Sequence, residues 1–275
     1  MGKQVQLNFI VELEIAKYFS IIVDSTPDIS HIDQLTLIIR YVLPDGVPVE
    51  RFITFIANTG HNALDINIMD CRGQSYDNAT NMSGQYSGLQ ARIKSINPLA
   101  YYIPCAAHSL NLVGTSAAGF CMESVTFGVV QELYNFFSIS THQWKILKCN
   151  LESKLSIKSL SVTRWSARAD ASKTLYSCYT EIVEVFQTIL DDITEKLNTR
   201  LEAKGLIDNL TSLETSIMTC FWNRILQRFN KINKKLQAVN IDLETVILLF
   251  DSLYNFLNTL RDDFDTFEAE ANKRC

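Results

Sequence analysis

Two aspartates are the first candidates for chemistry. Asp24 closes the apolar, β-branched run "FSIIVD", and Asp77 stands alone in "CRGQSYDNATNMSG", a stretch punctuated by Gly and Asn and without hydrophobic periodicity. A carboxylate at the end of a buried strand needs a partner or a cation, because burying it alone is costly. Mg²⁺ is typically held by one or two carboxylates together with substrate phosphates, so a converging aspartate pair would suit it. Taken singly, Asp24 reads as a cap for the segment after it, and Asp77 as a solvated turn residue. Spacing alone does not choose between these readings. The glycines of the second stretch are expected to let the backbone turn and a ligand approach Asp77.

Cys105 and His108 form a C-x-x-H pair, spaced to share one helix face. A structural zinc needs four ligands. Cys71, Cys121 and His142 could add to the number but make no finger-like pattern, so a hydrogen-bonded core histidine is the simpler reading. Arg164 and Trp165, in "SVTRWSARAD", either start a helix with Trp in the core or offer a phosphate ligand beside a base-stacking surface. "LQRFNKINKKLQ" is mildly basic and reads as a solvated helix face. "GQSYD" lacks the second Gly of a nucleophile elbow, and neither a P-loop nor G-x-G-x-x-G occurs.

The elements that must position these residues are legible in outline. Residues 18–24 and 35–43 read as strands separated by the turn residues Pro27 and Asp28, and "PDG" at 44–46 leads into a third strand, 47–58. Residues 71–84 read as a loop. A helix is expected over "YSGLQARIKSIN", stopping before Pro98, then a short strand in "LAYYIP". "CAAHSLNLVGTSAA" and "ESVTFGVVQELYNFFS" read as helices. All five prolines lie in the first 104 residues, and helical periodicity dominates from about Arg164. The pattern predicts an α/β domain over 1–165 with a mixed sheet, then an all-helical segment over 166–275.

The chain's 275 residues, 47% hydrophobic and 20% charged, are enough for two domains of ordinary size. Seven irregularly spaced cysteines fit free thiols in a reducing compartment. No apolar run of membrane-spanning length occurs, and Glu12 and Glu14 interrupt the apolar part of the N-terminus, which does not read as a signal peptide. A net charge of −5 gives no general attraction to nucleic acid, so any DNA contact must come from a local patch or a missing segment.

Four stretches in order, "FSIIVDSTPDIS", "CRGQSYDNATNMSG", "IPCAAHSLNLVG" and "SLSVTRWSARAD", resemble the hAT superfamily of DNA transposases. The likeness is to its domesticated branch of zinc finger MYM-type protein 1-like proteins, firm over about residues 15–175. The resemblance implies a ribonuclease H-like core interrupted by a helical insertion. It implies Asp24 and Asp77 as catalytic carboxylates and ligands of Mg²⁺ or Mn²⁺, Asp77 lying in the family's D-x-A-x-N-M motif. Cys105 and His108 match the C-x-x-H motif. Trp165, with Arg164, matches the R-W motif, and His108, Arg164 and Trp165 would face nucleic acid. It further implies DNA as partner, possible homo-oligomers, no small-molecule substrate and a nuclear location. The family's third acidic residue follows the insertion and has no counterpart here; Glu268 and Glu270 cannot be equated with it. The expectation is a transposase-derived protein with a partial metal site and little strand-transfer activity. The alternatives are an active recombinase core completed elsewhere and an interaction or repressor module that keeps only the fold.

Overall fold

The computed structural model describes residues 2–27, 33–56, 66–77, 79–121, 126–151, 157 and 165–274. The chain divides into two compact units, one of residues 1–112 with 236–242 and one of residues 113–235 with 243–275.

The first unit is built on a five-stranded mixed sheet. It begins with helix α1 (Gly2–Ala16), which sequence analysis leaves unassigned, followed by strands β1 (Phe19–Pro27), β2 (Asp33–Val42) and β3 (Pro48–Ile56). The 33–56 hairpin turns at Pro44–Gly46, where Gly46 has φ +86°, a conformation that costs glycine nothing. Strand β4 (Cys71–Ser75) follows a 3₁₀ turn at Ile68–Asp70. Then come α2 (Thr80–Ser83), α3 (Leu89–Ile96), the short β5 (Tyr101–Tyr102) and α4 (Ala106–Cys121). The strand order is β3-β2-β1-β4-β5. β2 runs antiparallel to both β1 and β3, whereas β4 is parallel to β1 and β5 is parallel to β4. Against one part of the sheet, Leu13 of α1 packs with Phe19, Ile39, Tyr41 and Ile53; Val23, Tyr76 and Met82 form a second cluster.

Two expectations need correction here. Strand β1 continues three residues past Asp24, because its antiparallel pairing with β2 runs on to Pro27↔Asp33. Residues 71–75 are a strand inside the sheet rather than a loop. Cys71 and Gln74 are both buried, and a strand covered on both faces need not alternate apolar with polar. Gln74 is tolerated there because its amide donates to Ala100 O at 2.9 Å and Gln90 O at 3.2 Å, while Tyr76 OH donates to its Oε1 at 2.8 Å.

The second unit is helical. It contains α5 (Thr126–Ile139), α6 (Thr141–Asn150), α7 (Trp165–Ser177), α8 (Tyr179–Asp191), α9 (Leu197–Leu210), α10 (Leu213–Leu236), α11 (Leu243–Leu260) and α12 (Phe264–Ala271). Its core joins α5 to α9, with the rings of Phe136, Phe137 and Phe186 in mutual contact at 5.0–5.2 Å. Composition places the change to helical structure near residue 165, whereas α5 and α6 already share this helical core.

Candidate functional site

The parallel pairing of β1 with β4 sets the candidate carboxylates. Its register runs Ser20↔Gly73, Ile21↔Gln74, Ile22↔Ser75. The pairing ends there; the same register continued by two residues would set Asp24 level with Asp77, which lies two residues past the end of β4. Val23 and Tyr76, the residues just before them, are buried in one cluster with Met82. Asp24 is exposed and Asp77 half-buried. Asp77 Oδ1 accepts the Ala79 N–H at 3.1 Å, an Asx turn that leads into α2. Of the D-x-A-x-N-M stretch, Met82 thus serves the core and Asp77 the turn.

The chain after β5 stays beside β4. Ile103 N–H donates to Gln74 O at 2.9 Å, and Cys105 N–H donates to Tyr76 O at 3.1 Å. Cys105 is thereby placed next to the residue that precedes Asp77. Its own carbonyl accepts from Ser109 N at 2.9 Å, so it caps α4, whose first turn carries the half-buried His108. The carboxyl ends of parallel strands are where α/β sheets commonly receive ligands. Asp24, Asp77 and the C-x-x-H pair all derive from that end.

Tyr102, which sequence reasoning passes over, lies among them. Its ring stacks on Tyr76 at 5.8 Å, and its hydroxyl donates a long 3.5 Å bond to Asp77 O. Burial pushes its pKa up against an opposing hydrogen bond with Ser83, with smaller upward contributions from Asp77 and Cys105. The signal available in the sequence was the Tyr-Tyr pair in a short strand flanked by prolines.

The glycines answer to packing. A Cβ on Gly73 would stand 2.6 Å from Ser20 Oγ of the neighbouring strand, and one on Gly88 would stand 2.6 Å from Gly84 N and O. The expectation that such glycines open a path for a ligand to Asp77 is therefore replaced by close contact within the sheet and between α2 and α3.

Among the described residues, no group of three or more His, Cys, Asp or Glu side chains is gathered so that it could hold a metal ion. The extra zinc ligands weighed from the sequence are engaged elsewhere. Cys71 is buried in the sheet core, and His142 faces Glu195 at 3.4 Å in the helical unit. The side chain of Cys121 lies outside the described residues. So does the whole of Arg164, and Trp165 is described only as the first residue of α7. One turn on, Arg168 is buried, and burial lowers its pKa.

Residues 3–88, from α1 to just past α2, match the DUF4371 family, described as the ZMYM1/FAM200 RNase-like domain. Two curated relatives are both called 52 kDa repressor of the inhibitor of the protein kinase. The Homo sapiens protein is 25% identical over 285 residues, and the alignment covers 94% of this chain and 36% of that one. The Mus musculus protein is 22% identical over 286 residues, covering 94% and 37%. The chain thus spans little more than a third of the relatives it matches. Among the described residues, no helix is long and apolar enough to cross a membrane.

Proposed function

We propose that this chain is a transposase-derived module with a ribonuclease H-like core that serves regulation through DNA in the nucleus, and that it does not cut DNA at a useful rate. The observation carrying this reading is the sheet: order 3-2-1-4-5, only β2 reversed, with β1 and β4 adjacent and parallel in a register that, continued past Ile22↔Ser75, would bring Asp24 beside Asp77. In this reading residues 1–165 are the core and 166–275 the helical insertion. The repressor names of the relatives support a regulatory role.

The donor set fits one hydrated Mg²⁺ or Mn²⁺, held by Asp24 and Asp77 together with a phosphate of the ligand. Bound there, the ion would neutralise phosphate charge. Asp77 keeps one oxygen on the Ala79 amide, which fixes the other. Two-metal strand transfer needs ligands that fix both cations, and two carboxylates leave a second ion poorly held.

Two measurements test this. Mn²⁺ should raise the melting point of the chain, by about 1.4 kcal/mol of stability at roughly ten times its Kd. Asp77→Asn, which keeps the turn-forming oxygen, should remove that gain. Incubation with a duplex carrying transposon-type terminal repeats and Mn²⁺ should leave the DNA intact. Metal-dependent nicking that Asp24→Asn abolishes would overturn the non-cutting reading. Absence of any metal-dependent stabilisation would overturn the carboxylate site.

A further inference from the structure

The helical unit holds a cavity of about 360 Å³ whose wall is one face of α10. Asn223, Arg224, Gln227, Arg228 and Lys231 line it at helical spacing, opposite Tyr176 of α7, Phe256 of α11 and Glu270 of α12. Its size falls within the roughly 300–1,000 Å³ of small-molecule sites.

The charges do not cancel. Arg224 is paired with Asp263 at 2.9 Å. Glu270 accepts from the Tyr176 hydroxyl and faces Arg274 at 3.5 Å. Arg228 and Lys231 have no carboxylate partner among the described residues. Lys231 is exposed at the cavity's edge, whereas the Arg228 guanidinium is held over the Phe256 ring, 5.5 Å from its centroid, and donates to Ser252 Oγ. Such a guanidinium is already oriented, so little freedom remains to be lost when an anion binds.

Among the described residues, two polar atoms here lack hydrogen-bond partners. Arg228 Nε is a buried donor without an acceptor, and Asn223 Oδ1 a buried acceptor without a donor. Leaving such a group unsatisfied costs about 1–3 kcal/mol; both atoms are closed to solvent, so they mark an under-satisfied polar wall rather than direct ligand contacts. Cys220, on the same wall, adds no negative charge at neutral pH: burial, then Glu270, push its thiol up to about 11.

We infer that this cavity binds the phosphate of a nucleotide, either free or as a unit of single-stranded DNA. The phosphate oxygens lie between Arg228, held by Phe256 and Ser252, and the exposed Lys231. Phe256 supplies the apolar wall. The site is separate from Asp24 and Asp77, and does not depend on them.

The test uses the full chain and a short fluorescent dT oligonucleotide, read by anisotropy, with AMP and inorganic sulfate as competitors. Arg228→Gln and Lys231→Gln should each weaken binding about tenfold or more, as expected for the loss of a charge-assisted hydrogen bond. Lys204→Gln, which removes an exposed cation of α9, should leave binding unchanged. Displacement by AMP but not by sulfate identifies a free nucleotide as the ligand. Binding of the oligonucleotide without AMP competition identifies the strand. Either outcome supports the site. Equal weakening by all three substitutions, equal competition by sulfate, or no binding of either nucleotide species would overturn it. Melting curves check folding, and if Arg228→Gln fails to fold, the exposed Lys231 carries the test. None of these readouts involves Asp24 or Asp77, so the sheet-edge reading stands or falls separately.

Discussion

Gly73 fixes how closely β4 can lie against β1. A Cβ at this position would come within 2.6 Å of Ser20 Oγ and 3.2 Å of Ser20 Cβ, both on the paired strand. Gly73→Ala should therefore destabilise the sheet unit by about 1–3 kcal/mol, the usual range for overpacking. In a Ser20→Ala background the same substitution should cost less, with a coupling of roughly 0.5–3 kcal/mol between the two sites. Urea unfolding of the four chains measures this, and an equal cost in both backgrounds would rule out the clash. Asp24 and Asp77 were legible as candidates because each is a lone carboxylate at a break in pattern. Their convergence followed only from the family resemblance, since the β1/β4 register behind it is a long-range feature that no local signal encodes. Tyr102 was hidden for the same reason: its proximity to Asp77 comes from the pairing of β5 with β4.

At the scale of elements, α1 is tied to the sheet by a polar cluster. Glu12 accepts hydrogen bonds from Tyr41 of β2 and from Arg51 of β3, the latter at 3.1 Å. The Tyr41 hydrogen bond, and after it Arg51, hold the Glu12 carboxyl below its ordinary pKa against the opposing effect of burial. A carboxyl whose folded pKa is depressed contributes stability that is present above its unfolded value, about 4.3, and lost as pH falls through the folded value. The stability advantage of the native chain over Glu12→Gln should thus be greatest near neutral pH and shrink below about pH 4. Urea midpoints across that range are the measurement, and a pH-independent difference would show that the ion is not what matters. Tyr41 behaves in the opposite sense. Burial, and then Glu12, raise its pKa, so its contribution persists to alkaline pH and is lost as pH rises through that higher value. The β2–β3 hairpin was legible because its turn residues and alternation are local. The β4 strand was not, because Gly73 and the hydrogen-bonded Gln74 remove the apolar signature.

For the whole molecule, charge is distributed against any simple electrostatic picture. Thirty acidic residues against 25 basic ones leave −5, so phosphate is not drawn in by the overall field. Among the described residues, apolar clusters on the sheet are distinct from the helical core of α5–α9, which starts before the boundary near residue 165 that composition suggested. The exchange of residues 236–242 into the sheet unit was not legible, since it follows from long-range contacts. If nucleotide binding resides in the α10 cavity, its salt dependence must reflect the cations available there. Arg224 is already paired with Asp263, leaving Arg228 and Lys231 as the cavity's two cations without a carboxylate partner among the described residues. For single strands the slope of log K against log salt is about −0.7 per neutralised phosphate, which gives about −1.4 for two contacts. The oligonucleotide titration repeated across salt concentrations should return that shallow slope, and Lys231→Gln should reduce it by about half. A slope of about −4 or steeper would require some six phosphate contacts, more than this cavity can provide. Binding would then have to be assigned to a broader basic surface than the one α10 presents.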